Sequence, residues 1–232
     1  MNFNNRKDLV YLILAGFFIT NALLGEILGG KLIQVGPYVM SIGVIPWPIV
    51  FLTTDILNEY YGKKGVRRLT YLTVFLLTFA LGVMYLAVQV PTAAESPVND
   101  AAFRMVIGQA SLITIASIIA FAISQILDVV VFWLFRNRTG SRFLWLRSTG
   151  STIVSQLVDT FVIIGIAFWL PGKISTSKYL ELSLTNYSYK LLIAIGLTPF
   201  IYLIHNAIHR YLGNTAAEEQ IEEAAVASHQ SS

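Results

Sequence analysis

Ser124-Gln125-Ile126-Leu127-Asp128 returns 31 residues later as Ser155-Gln156-Leu157-Val158-Asp159, and both copies lie inside long apolar runs. The first run ends at the basic segment from Arg136 to Arg147 and the second begins there, so the spacing predicts two antiparallel helices joined by a short basic loop. At 1.5 Å rise per residue, Asp128 and Ser124 lie roughly 12 and 18 Å from Arg136, and Ser155 and Asp159 lie at roughly the same two depths from Arg147. The two copies should therefore meet. Carboxylates, carboxamides and hydroxyls matched in depth inside hydrocarbon are costly, and that cost marks a site.

Around this pair the chain of 232 residues is 55% apolar and 12% charged, where soluble domains run near ~25% charged. Six apolar stretches, at 9–28, 39–61, 69–90, 108–135, 149–170 and 190–212, each approach the ~20 residues needed to span a bilayer. The expected fold is an all-α membrane protein of six transmembrane helices, with a proline-broken second segment and antiparallel helices 4 and 5 carrying the twin motif. Residues 1–213 form one domain, and 214–232, with Glu218, Glu219, Glu222 and Glu223, read as an acidic tail, disordered or transiently helical. Such a chain has no room for a soluble catalytic domain.

Basic residues are distributed by loop rather than gathered on one face, so the net charge of +3 does not point to nucleic acid. Their distribution sets orientation instead. Arg6, Lys7, Lys63, Lys64, Arg67, Arg68, Arg136, Arg138, Arg142, Arg147 and Arg210 fall on one side, and Lys31, Arg104, Lys173, Lys178 and Lys190 on the other. The positive-inside bias then puts both termini in the cytoplasm. With no cysteine there is neither a disulfide nor a thiolate metal site. The first apolar run is long and lacks an Ala-x-Ala exit, so it reads as an uncleaved helix rather than a signal peptide.

In the first span Asn21 and Glu26 interrupt an apolar helix; Glu26 either pairs with Lys31 near the outer interface or serves substrate entry. Gly36, Pro37, Gly43, Pro46 and Pro48 prevent a continuous second helix, because proline removes a donor and clashes with the preceding turn. A helix from Trp47 to Tyr61 is about 22 Å long, too short to cross alone, so the preceding chain should be extended or re-entrant. Non-helical backbone at that depth must line a cavity or be buried in protein, which points to a binding site and brings Trp47 toward a ligand. Asp55, Asn58 and Glu59 share one helix face. Glu59 could be a solvated partner of Lys63; Asp55, one turn deeper, resists that explanation. The third span reads as scaffold. In the fifth, Ser148, Ser151, Ser155 and Asp159 form one stripe beside Thr152, Gln156 and Thr160, a pattern that can simply pack helices together. His205 and His209 at i and i+4 have Asn206 where a metalloprotease helix needs glutamate, and no metal site is expected.

With DILNEYYGKK at Asp55 to Lys64 and RSTGSTIVSQLVDT at Arg147 to Thr160, the chain resembles the queuosine precursor transporter family over most of its length, from Asn21 to about Gly213. Asn21 with Lys31, the proline before an aspartate-bearing helix, and both Ser-Gln-x-x-Asp motifs carry the resemblance. It implies a six-helix inner-membrane importer of 7-deazaguanine precursors of queuosine, without cofactor. Asn21, Trp47, Asp55, Asn58, Glu59, Gln125, Asp128, Ser155, Gln156 and Asp159 are the expected substrate-binding residues.

Residue chemistry agrees. A guanine-like base presents an N1–H and an exocyclic amine that one carboxylate can accept together, and a carbonyl that a carboxamide can satisfy. Asp128 or Asp159 with Gln125 and Gln156 would supply that set. Trp47 could stack on the ring, and Asp55 or Glu59 could meet an aminomethyl cation. Asp128 and Asp159 are expected at one depth, on opposite walls of one cavity; the alternative is that each merely binds its neighbouring helix. Two close carboxylates should not both stay ionised, which makes a proton a coupling ion to expect; a homodimer is also expected. Three classes stay open: a stand-alone secondary transporter, the substrate-capturing subunit of an ATPase-driven vitamin importer, and an intramembrane enzyme. Ala22 lies seven positions after Ala15, unlike the Ala-x-x-x-Ala docking spacing of the second class. No nucleophile or metal motif supports the third.

Overall fold

Asn5 caps the first helix by accepting the Lys7 N–H at 3.1 Å, and α1 (Arg6–Leu28) then runs as the expected apolar rod. The structure, a computed structural model, describes residues 5–29, 31–36, 38–108, 111–140 and 142–230. After α1 comes an antiparallel hairpin, β1 (Leu32–Val35) with β2 (Tyr38–Ser41), in which Leu32 pairs with Ser41 and Val35 with Tyr38. The Ser41 hydroxyl accepts the Gly43 N–H at 3.1 Å and donates to the Gly29 carbonyl at 2.6 Å, tying a short 3-10 turn (Ile42–Val44) to the end of α1. The extended chain expected before Pro46 is this hairpin; Pro37 lies outside the described residues.

Pro46 and Pro48 open α2 (Pro46–Gln89), since a proline in the first turn removes an N–H that would have no helical partner anyway. At 44 residues α2 is about 66 Å long, twice a hydrocarbon layer of ~30 Å. It covers both the expected second and third spans and breaks at Gly62, whose φ of 66° and ψ of −175° leave the helical region. Among the described residues five helices are long and apolar enough to cross a membrane, where the sequence reading expects six spans. The difference is α2, one helical segment bent at Gly62. After α2 comes an amphipathic helix, α3 (Asp100–Ile107), capped by Asn99.

Helices α4 (Ser111–Thr139) and α5 (Leu144–Ile164, continued by a π-helical turn Gly165–Trp169) pack antiparallel along their length. Arg147 pins their basic connection by donating to the Gly140 carbonyl at 3.2 Å and the Arg142 carbonyl at 3.1 Å. Helix α6 (Thr176–Leu212) passes through Pro199 and lies against α5.

The tail, expected to be disordered or transiently helical, forms helix α7 (Asn214–His229), which buries Ala217, Ile221, Ala224 and Ser228 on one stripe and packs against α2. Spacings of four, three and four residues put these positions on one helix face, while Glu218, Glu219, Glu222 and Glu223 take the other. So narrow a stripe of small residues barely registers in composition.

The molecule is apolar without, and within it buries polar side chains beside an apolar core. Phe75, Phe79, Leu86 and Leu192 are among the large side chains that stand exposed, while Asp55, Asn58, Glu59, Ser124, Gln125 and Asp128 are buried. In water that arrangement would cost stability; in lipid it is the favourable one, because the surrounding solvent is hydrocarbon.

Candidate functional site

Three helices bring the polar groups together. The two copies of the motif cross-pair: Ser155 Oγ donates to Asp128 Oδ1 at 3.0 Å, and Ser124 Oγ approaches Asp159 Oδ1 at 3.4 Å. This is the pairing required by equal depths on antiparallel helices. It also sets the two aspartates one helical turn apart, each opposite the other's serine, and not at the single depth expected for them, because the motif's serine and aspartate are four residues apart and the helices run in opposite directions. They then diverge. Asp159 Oδ2 is 2.6 Å from Lys190 Nζ on α6 and is partly exposed, whereas Asp128 is fully buried and among the described residues has no ion-pair partner.

Asp55 faces the α5 stripe. It accepts from Ser148, from Thr152 at 3.3 Å and from Ser151 at 3.4 Å, so hydroxyls that could have been mere packing groups serve a buried carboxylate. Asp55 on α2 and Asp128 on α4 thus both accept from hydroxyls of α5, Asp55 from Ser148, Ser151 and Thr152 and Asp128 from Ser155. One residue before Asp55, Thr54 donates to Gln125 Oε1 at 3.1 Å and so joins α2 to α4.

Several buried polar atoms find no protein partner: both amide atoms of Asn58, Gln125 Nε2, Asp128 Oδ2 and Gln156 Nε2. Each such atom costs about 1–3 kcal/mol when left dry. These atoms lie on α2, α4 and α5, and between them they offer the amide donors and the carboxylate acceptor that a polar ligand could satisfy.

Glu59 is committed elsewhere. Arg147 grips it in a fork, Nη2 to Oε1 at 2.6 Å and Nε to Oε2 at 2.9 Å, and Arg136 Nη1 lies 2.7 Å from Oε2 without hydrogen-bond alignment. The cluster is buried, with Glu59 1% and Arg147 2% exposed. Its partners are these arginines and not Lys63, because the arginines end α4 and begin α5 at the level where α2 breaks.

Trp47 is half-buried 5.6 Å from the Phe121 ring and rests on Gly25, where a Cβ would come within 2.8 Å of the indole. That approach is the local reason for glycine at 25. Glu26 accepts from Ser117 of α4, and Lys31 is exposed. Asn21 donates to the Phe17 carbonyl of its own helix at 2.8 Å, so no described bond draws it to the cluster. His205 is engaged through Nδ1 by the Tyr60 hydroxyl at 2.8 Å.

A multi-pass helical protein with an apolar exterior and a buried set of unpartnered carboxylate and amide atoms has the build of a small-molecule membrane transporter. The family model described as "Putative vitamin uptake transporter" matches residues 41–204, and the chain belongs to that family. It is 32% identical over 177 residues, 74% of each chain, to the "Probable queuosine precursor transporter" of Bacillus subtilis (strain 168). It is 31% identical over 165 residues, 66% of each chain, to the "Queuosine precursor transporter" of Escherichia coli (strain K12). To the Haemophilus influenzae protein of the former name it is 27% identical over 176 residues. No solved structure matches the chain.

Proposed function

We propose that this protein imports 7-deazaguanine precursors of queuosine across the inner membrane, crossing it six times with α2 contributing a span on each side of Gly62. The observation that carries the reading is the set of unpartnered buried atoms on Asn58, Gln125, Asp128 and Gln156. Asp128 Oδ2 accepts from the N1–H and exocyclic amine of the base, and the carboxamide nitrogens donate to its carbonyl. Asp159 with Ser124 forms the outer wall of the same path, and Trp47 covers it from the hairpin side. The names of the relatives support the substrate class.

A stand-alone secondary transporter fits better than a subunit docked on an ATPase module. Ala15 and Ala22 are 8% and 0% exposed and belong to the core, so neither alanine is offered to a partner. Asp55 and Asp128 supply the coupling device: one proton taken up by the pair lowers its charge from −2 to −1 for the crossing, and its release accompanies release of the base. Both termini, the Gly62 break and the α4–α5 turn lie at the cytoplasmic end, where the basic residues gather.

Mass spectrometry of ligand retained by protein purified in mild detergent tests the proposal. A 7-deazaguanine base, released on denaturation and absent from Asp128→Asn, is the expected result; a ligand of unrelated chemistry held by both proteins would refute it.

A further inference from the structure

Helix α7 lies beyond the residues matched by the family model, and the transport reading makes no use of it. Yet it completes the broken helix. At Gly62 the backbone departs from helical geometry, and groups flanking a break lose their helical partners. Two side chains of α7 replace them: Gln220 Nε2 donates to the Tyr60 carbonyl at 2.9 Å, and Ser228 Oγ accepts the Lys63 N–H at 3.0 Å. The seat is close-fitting, since a Cβ on Gly62 would stand 2.5 Å from Ser228 Oγ and 2.8 Å from the Ala224 carbonyl oxygen.

The same helix covers the buried ion cluster. Arg136 Nη2 donates to the Ile221 carbonyl at 3.4 Å, the Trp133 ring meets His229 edge-on with centroids 6.5 Å apart, and Lys7 reaches Glu223 at 3.7 Å. Thus α7 binds α1, α2 and α4 at one end of the bundle. Beneath it Glu59 is fixed to Arg136 and Arg147, and the half of α2 that carries Glu59 also carries Asp55 and Asn58.

We infer that α7 is the latch of the inner gate, with Gln220 and Ser228 as positioning residues that hold the first half of α2 closed against α4 and α5. This inference rests on the transport reading and goes beyond it. Release of α7 uncaps the Tyr60 carbonyl and the Lys63 N–H and admits water to the Glu59 cluster. Hydration then replaces the ion pairs that a dry interior requires, and the inner path opens. The hold suits a reversible part: its buried stripe is two alanines, one isoleucine and one serine, and full burial of an isoleucine is worth only about 1.5–3 kcal/mol.

The chain has no cysteine, so a single introduced pair can tether the latch. Full-length protein carrying Lys7→Cys and Glu223→Cys, joined by a cleavable bis-maleimide, is reconstituted in vesicles and assayed with the nitrile-bearing 7-deazaguanine base. The tethered form should bind the base within about twofold of the untethered one, while uptake falls at least about tenfold and returns when the linker is cleaved. Uptake at the untethered rate overturns the latch; so does loss of binding on tethering, which would place α7 at the ligand rather than the gate. A second arm needs no ligand. In the full-length Gln220→Ala/Ser228→Ala protein, backbone amides 56–66 should exchange with solvent at least about tenfold faster while the β1–β2 hairpin is unchanged. Unchanged exchange at 56–66 overturns the latch even if the base binds. An untethered protein that binds no 7-deazaguanine refutes the substrate assignment instead, and the exchange measurement still decides the latch.

Discussion

Asn58 and Glu59 are neighbours on one helix, both buried, and their energetic roles are opposite. Asn58 has no protein partner for either amide atom, so it destabilises the empty protein and is suited to a ligand. Asn58→Leu should therefore raise the melting temperature of the ligand-free protein, by an amount set by the roughly 1–3 kcal/mol of unpaired polar group removed, while abolishing binding. A thermal shift and a binding titration on the same sample check both halves. Glu59→Gln should do the reverse: it leaves two buried guanidiniums without a carboxylate and costs about 3–5 kcal/mol, read as a lower melting temperature. Of these roles the sequence displayed only part. The shared face of Asp55, Asn58 and Glu59 and the hydroxyl stripe of α5 could be read from helical spacing. That Glu59 belongs to arginines at the far ends of two other helices could not, because no local pattern fixes which long cation reaches which acid. The Lys190–Asp159 pair escaped for the same reason.

At the level of elements, the twin motif was legible because depth along two antiparallel helices is arithmetic, and the crossed serine–aspartate contacts are what that arithmetic requires. The start of α2 at Pro46 was legible too, since proline fixes a first turn. The hairpin before it and the docking of α7 were hidden: the hairpin depends on pairing between short segments, and α7 on a stripe too narrow to show against its acidic face. Gly62 joins these elements. Its backbone lies in a region nearly exclusive to glycine, so Gly62→Ala should cost about 1–3 kcal/mol in strain alone. The clash with Ser228 and Ala224 should also loosen α7, exposing it to limited proteolysis in detergent. A parental melting temperature with α7 still protected would show that the break tolerates a side chain.

For the molecule as a whole, the apolar exterior suits a bilayer, and the bias of arginine and lysine toward one set of loops is the basis of the proposed orientation. Arg67 and Arg142 both belong to that basic set and are exposed. In a chain without cysteines, Arg67→Cys and Arg142→Cys should be labelled by an impermeant maleimide only from the cytoplasmic side; labelling of either in intact cells would reverse the topology. Transport itself turns on whether the unpartnered atoms in the middle of the bundle read a base. Binding of the nitrile-bearing 7-deazaguanine to purified parental protein and to Asp128→Asn, by calorimetry in mild detergent, tests this most directly. Loss of a charged hydrogen bond worth about 1.5–3 kcal/mol predicts at least roughly tenfold weaker binding by the variant, with the protein folded and no less stable to heat. Equal affinity in the two proteins would contradict the assignment of Asp128 to the substrate.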